Sequence, residues 1–186
     1  MLLLDEKILA VHAAFDSVEI PHAFGGALAL AYYATPRGTQ DIDVNVFVAA
    51  NEAPRVLGAL TQLGVAVGGA RERKQIRDSG QVRLRWERTP LDLFFSYDPL
   101  HASCLARTRT VPFGAGAAIP ILAAEDLVIF KVLFDRPKDW TDVAEVLYAR
   151  GPDFDASYTL EWLRRILAAR DARLGRIEEL LDARAG

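Results

Sequence analysis

The chain has 186 residues, 51% of them hydrophobic and 25% charged, with a formal net charge of −3. That length suits one well-packed domain with a helical appendage, and the slight acidity argues against bulk affinity for nucleic acid or for an anionic membrane. A single cysteine, Cys104, excludes an intramolecular disulfide; the first residues lack a secretory pattern and no stretch is long and apolar enough to span a bilayer, so the expectation is a cytoplasmic protein that does not engage membranes.

Residues 2–18 carry Leu4, Ile8, Val11 and Phe15 at helical spacing, which predicts an amphipathic packing helix. His12 and His22 lie in apolar runs and are read as packing or surface residues rather than ligands. A short extended segment over 21–24 then meets Gly25-Gly26, followed by a helix-forming run over 27–33. Glycine amides at such a helix start suit a phosphate.

In 41–48 the residues alternate, with Ile42, Val44, Val46 and Val48 on one face and Asp41, Asp43 and Asn45 on the other, the period of a half-buried strand. Two carboxylates thus point the same way, one pleat apart. Ionised carboxylates sheltered on a sheet need compensation, and oxygen-only donors favour magnesium or manganese as the compensating ion.

Asn51 is expected to cap a helix running to Leu63 and closed by Gly64. Between 71 and 88, seven basic residues (Arg71, Arg73, Lys74, Arg77, Arg83, Arg85 and Arg88) face three acidic ones (Glu72, Asp78 and Glu87). Ser79-Gly80 marks a turn, and 81–87 alternates with Val82, Leu84 and Trp86 inward. Two readings stand for this stretch: a basic rim that attracts triphosphate or RNA, and a solvated edge hairpin whose charges block aggregation.

Residues 90–95 form an apolar strand with one carboxylate, Asp92, in its middle; either it serves a site or it pairs with the nearby arginines. The stretch 97–118 is read as an irregular connection with an extended piece near 108–113 and a turn at 114–116. Ala123-Ala124-Glu125-Asp126 opens a strongly apolar helix in which Lys131 stands among core residues, either snorkelling to water or aimed into a site. Pro137 suits a first helical position with Asp139 in the first turn. Beyond Gly151-Pro152, Leu160, Leu163, Ile166 and Leu167 form one helical stripe and Leu174, Ile177, Leu180 and Leu181 another.

The pattern Gly25-Gly26, then Arg37-x-Thr39-x-Asp41-x-Asp43, resembles the first motif of the polymerase-β-like nucleotidyltransferase superfamily, with AbiEii-type toxins and their uncharacterised relatives as the nearest branch. The resemblance is good over 20–48 and looser over 90–145. Many members carry Ser where this chain has Gly26. What the resemblance implies is an α+β nucleotidyltransferase fold, a mixed sheet flanked by helices and followed by a C-terminal helical subdomain, divided here as 1–118 and 119–186.

It further implies that Asp41 and Asp43 hold two Mg2+ ions, with Mn2+ as the substitute, on the triphosphate of a nucleotide. Asp92 would complete the catalytic carboxylates and ligate the metal. Gly25, Gly26, Arg37, Thr39 and Lys131 would bind the nucleotide, and Asp139 would support that site. The implied reaction moves a nucleoside monophosphate from a nucleoside triphosphate to an acceptor hydroxyl on RNA, protein or a small molecule, releasing pyrophosphate. An antitoxin partner belongs to the toxin branch, and a small-molecule transferase of the antibiotic-modifying kind or a non-catalytic nucleotide sensor are the alternatives.

Overall fold

The computed structural model describes residues 2–114 and 116–184; Ala115, in the turn expected at 114–116, lies outside them. The chain forms two compact units, one from Met1–Leu28 with Gly38–Leu122, the other from Ala29–Arg37 with Ala123–Gly186.

Among the described residues, the first unit holds six strands: β1 (His22–Phe24), β2 (Ile42–Ala49), β3 (Gln81–Trp86), β4 (Thr89–Ser96), β5 (Arg109–Phe113) and β6 (Ala117–Ile121). Their order across the sheet is β3-β4-β2-β1-β6-β5. Pairing is parallel between β2 and β4 and between β1 and β6, and antiparallel elsewhere, so the sheet is mixed as expected. The period-2 pattern places Ile42, Val44, Leu91, Leu93, Phe95, Val82 and Leu84 in the core, each at 3% exposure or less. Arg83 and Arg85 point outward on the edge strand β3.

Helix α1 (Leu4–Asp16) buries Ile8, Val11 and Phe15 and packs on α3 (Ala53–Gln62) and β6. Helix α2 (Gly26–Leu30) is shorter than the run expected over 27–33. Asn51 is not an N-cap: it lies in a 3-10 turn, Ala50–Glu52, and α3 starts behind it with Pro54 in its first turn. Most of the basic stretch belongs to a helix, α4 (Ala70–Ser79), instead of a hairpin arm. Only Ile76 of that helix is buried, so no apolar stripe announced it. Its ends are local: Glu72 accepts the Gly69 amide at 2.7 Å, and Gly80 takes φ 67°, a left-handed cap that glycine adopts without strain.

The connection expected to be irregular contains α5 (Pro99–Arg107), started by Asp98, whose carboxylate accepts the Leu100 amide at 2.8 Å, and by Pro99 in the first turn. Buried Leu100, His101 and Cys104 fix it to the unit.

The second unit is helical. α6 (Ala124–Phe134) is buried from Ala124 to Val132 and packs against α7 (Pro137–Arg150) and α8 (Ala156–Ile166); α9 (Ala172–Arg184) packs on α7 and α8. Acidic Glu125 and Asp126 sit in the first turn of α6, and Pro137 opens α7, as expected. Among the described residues, no helix is long and apolar enough to cross a membrane.

Candidate active site

Strand pairing decides which carboxylates meet. β4 inserts beside β2, and its register makes Asp43 and Asp92 direct partners on neighbouring parallel strands. On the other side of β4, Asp92 is the direct partner of Arg83 on β3. Paired residues share a sheet face, so Asp43, Asp92 and Arg83 form one transverse row, with Asp41 one pleat from Asp43.

Arg83 closes this row. Its Nε and Nη2 donate to the two oxygens of Asp92 at 2.7 and 2.6 Å, and Nη2 lies 3.7 Å from an oxygen of Asp41. The two hydrogen bonds to Asp92, its charge and those of Asp41 and Asp43 hold the Arg83 guanidinium above its ordinary pKa, so it stays charged. The Asp92 side chain is 15% exposed and that of Arg83 61%, so the arginine reaches in from solvent to a sunken carboxylate. The sequence offers several nearby arginines to pair with Asp92, and the strand register selects Arg83.

Asp43 is placed by a glycine. Gly26 has φ +55°, and a Cβ built on it would lie 1.8 Å from Asp43 Oδ2. The carboxylate therefore occupies the space that a side chain at 26 would need, and the serine common in the resembling family does not fit this arrangement. The neighbouring Gly25 amide donates to the Asp43 carbonyl at 2.9 Å, so it is spent on the strand pair instead of being offered to phosphate. A Cβ at Gly25 would come within 3.1 Å of Asn45 Nδ2. Thr39 is turned onto backbone: the Asp41 amide donates to its hydroxyl at 3.2 Å.

The second unit holds the other predicted residues. Lys131 is 4% exposed, and its Nζ donates to Asp142 Oδ2 at 2.5 Å and stands 3.7 Å from Asp139 Oδ1. Arg37 donates twice to Asp142, at 3.1 and 3.0 Å. Both cations expected to hold phosphate thus share one carboxylate, Asp142, which the sequence did not single out. Burial pushes the Asp142 carboxyl up, but the hydrogen bonds from Arg37 and Lys131 and their charges outweigh it, leaving the group below its ordinary value. Asp139, 1% exposed, accepts the Arg136 amide at 3.3 Å and the Arg136 guanidinium at 2.6 and 3.2 Å. It caps α7 from the first turn that Pro137 opens.

His12 and His22 are bonded to each other, Nδ1 to Nε2, at 2.9 Å. The Ile20 carbonyl 2.8 Å from His22 Nδ1 requires a proton there, so His22 Nε2 accepts from His12. His22 pairs in register with Val46, at the end of β1 away from Gly25, so neither histidine joins the carboxylate row.

Among the described residues no three His, Cys, Asp or Glu side chains converge closely enough to hold a metal ion. The expected three-carboxylate metal centre is therefore not assembled as it stands: Asp92 is turned to Arg83. The donor set nonetheless suits a hard divalent cation, since it is all oxygen, sits in one row, and already draws a cation to itself.

No protein-family model matches this chain, and none of the curated proteins matches it. Its fold is similar to that of the antibiotic-resistance factor ANT(2'')-Ia in complex with adenylyl-2''-tobramycin, at 17% identity and TM-score 0.60 over 87% of this chain and 95% of that one. It is also similar to the lincosamide antibiotic adenylyltransferase LnuA with lincomycin bound, at 14% identity and TM-score 0.52 over 76% and 95% of the two chains. An antigenic nucleotidyltransferase-like protein from Paracoccidioides brasiliensis aligns at 16% identity and TM-score 0.52 over 98% and 88%. These likenesses give the chain the nucleotidyltransferase fold with a helical C-terminal part.

Proposed function

We propose that this protein is a divalent-metal-dependent nucleotidyltransferase that moves a nucleoside monophosphate from a nucleoside triphosphate to an acceptor hydroxyl. The observation that carries the reading is the register pairing of Asp43 with Asp92, with Asp41 one pleat away, on a fold shared with nucleotidyltransferases. Asp41, Asp43 and Asp92 would hold Mg2+ or Mn2+, which when bound supplies positive charge to the triphosphate and acidifies the acceptor hydroxyl.

The chain's own residues do the rest. Gly26 leaves room for the Asp43 carboxylate, and the Asp43 carbonyl accepts the Gly25 amide, which fixes the strand beneath it. Asp92 lies on the same face as Asp43, as the acceptor's base must. Within the second unit, Arg37, which the sequence resemblance names as a nucleotide ligand, is 39% exposed and oriented by Asp142. Lys131, almost wholly buried against Asp142, acts by holding that aspartate.

For the acceptor, a small hydroxylic molecule is favoured over RNA or protein, because two of the similar structures are named for antibiotic adenylylation. The toxin context and an antitoxin partner rest on the sequence resemblance alone. The test is label transfer from each α-labelled nucleoside triphosphate, with Mg2+, to tobramycin, lincomycin, total RNA and total protein, beside the D43N and D92N proteins. Label that requires both aspartates supports the reading, and the labelled species identifies the acceptor class; transfer retained in D43N would refute it.

A further inference from the structure

We propose that Arg83 is the resident counter-cation of the carboxylate row, a built-in competitor that a divalent ion must displace from Asp92 in order to bind. The inference rests on the metal-dependent reading above. It adds a residue that controls how readily the site loads and that acts before any substrate arrives.

The geometry of the row carries it. Asp43 on β2, Asp92 on β4 and Asp41 just ahead of β2 gather on one sheet face, where like charges repel unless a cation sits among them. Arg83 supplies that cation from the next strand, bidentate on Asp92 and 3.7 Å from Asp41. Bidentate pairing uses both Asp92 oxygens, so the carboxylate that would complete a metal's ligands is engaged while Arg83 stays. That engagement is consistent with the lack of a metal-competent trio among the described residues.

Arg83 is also built to leave. It lies on the edge strand with 61% of its side chain exposed, so its guanidinium can turn into water without opening the core. The opposite, apolar face of β3 stays buried through Val82, Leu84 and Trp86 whatever Arg83 does. An arginine never loses its proton at working pH, so the row is freed by displacement and not by deprotonation. Before loading, the same contact keeps Asp92 in one orientation and keeps mutual repulsion from spreading the carboxylates. An ordinary cross-strand ion pair would share the distances but would have no effect on metal affinity.

The experiment titrates the nucleotide-free, full-length protein with Mn2+, following free Mn2+ by electron paramagnetic resonance, for wild type, R83Q, R83K and D43N. Melting curves confirm that each is folded. R83Q is expected to bind Mn2+ about tenfold more tightly than wild type, the effect of removing one charge-assisted competitor. R83K, which keeps the charge but loses the fork, falls between them. In arginine-labelled protein the Arg83 Nε–H resonance, assigned by its loss in R83K, shifts and exchanges faster with water as Mg2+ is added.

Equal Mn2+ affinity in wild type and R83Q, with binding still lost in D43N, overturns the role of Arg83 and leaves the carboxylate site standing. An Arg83 resonance unmoved at saturating Mg2+ overturns it as well. If D43N binds Mn2+ as wild type does, or if none of the proteins binds it, the metal-dependent reading itself fails and the inference falls with it.

Discussion

Gly26→Ala tests the arrangement at its tightest point. The new Cβ would lie 1.8 Å from Asp43 Oδ2, 2.5 Å from its Cγ and 2.9 Å from its Cβ, on a residue with φ +55°. The left-handed backbone alone costs an L-residue about 1–2 kcal/mol. Asp43 must also leave its rotamer, at about 0.5–1.5 kcal/mol. A total of about 2 kcal/mol lowers the melting temperature of a chain this size by roughly 4–8 °C. The two contributions separate in a double-mutant cycle with Asp43→Gly, which removes all three contacts and leaves only the backbone cost. The cycle is expected to show a coupling of about 1 kcal/mol, and G26A is expected to lose Mn2+ binding along with the displaced carboxylate. Calorimetric melting of the four proteins reads the stability, and Mn2+ titration reads the site. A zero coupling energy, or G26A protein that melts and binds Mn2+ as wild type does, would refute the claim that Gly26 is required by Asp43.

Asp142→Asn removes the carboxylate shared by Lys131 and Arg37 and is expected to destabilise the protein by about 2 kcal/mol at pH 7 in urea unfolding, with Asp139 left as partial compensation for the buried lysine. Because the folded Asp142 pKa lies below its unfolded value, that contribution is complete above pH 4 and declines as pH falls further, so the gap between the two proteins narrows only in acid. His22 behaves in a different window: burial lowers its pKa despite the bond to the Ile20 carbonyl, so the unfolded chain binds the extra proton and stability drops as pH falls below about 6.5. His22→Gln is expected to flatten that part of the urea stability profile between pH 7 and 5; an unchanged slope would count against it. Lys7 is 3% exposed and bonds the Trp86 carbonyl at 3.2 Å and the Glu87 and Thr89 side chains at 3.0 Å each. Lys7→Met is expected to cost about 1–3 kcal/mol by thermal melting through the unpaired acceptors it leaves, and a neutral result would mean that water satisfies them.

The strands were legible because a sheet with one buried face imposes period 2 on the chain. Ile42, Val44 and Val46 against Asp43, and Val82, Leu84 and Trp86 against Arg83 and Arg85, follow it. Pro137 and the acidic start of α6 were equally local signals. Helix α4 was missed because a helix with one buried residue has no stripe to read, and α5 because its signal, Asp98-Pro99, lies in its cap and not in its apolar spacing. The joining of residues 29–37 to the C-terminal helices cannot be read from either segment alone. The same limit applied to Arg83 and Asp142. Their roles come from strand register in one case and helix packing in the other, and no spacing along the chain reports which carboxylate an arginine will reach.

Each unit meets one physical problem, carboxylate charge set into a protected surface, and the two solutions differ in what they permit. In the second unit Asp142 is held by Lys131, itself 4% exposed, so exchanging that cation would strand an ammonium away from water. That contact is fixed, and it serves to orient Arg37. In the first unit Asp92 is held by a side chain that is 61% exposed on an edge strand, where leaving costs little desolvation because water receives the guanidinium. A site that must admit an ion and a charged substrate needs the second kind of pair, one strong enough to keep the carboxylates together and exposed enough to give way. This difference assigns Arg83, and not Lys131, the part of the cation that moves.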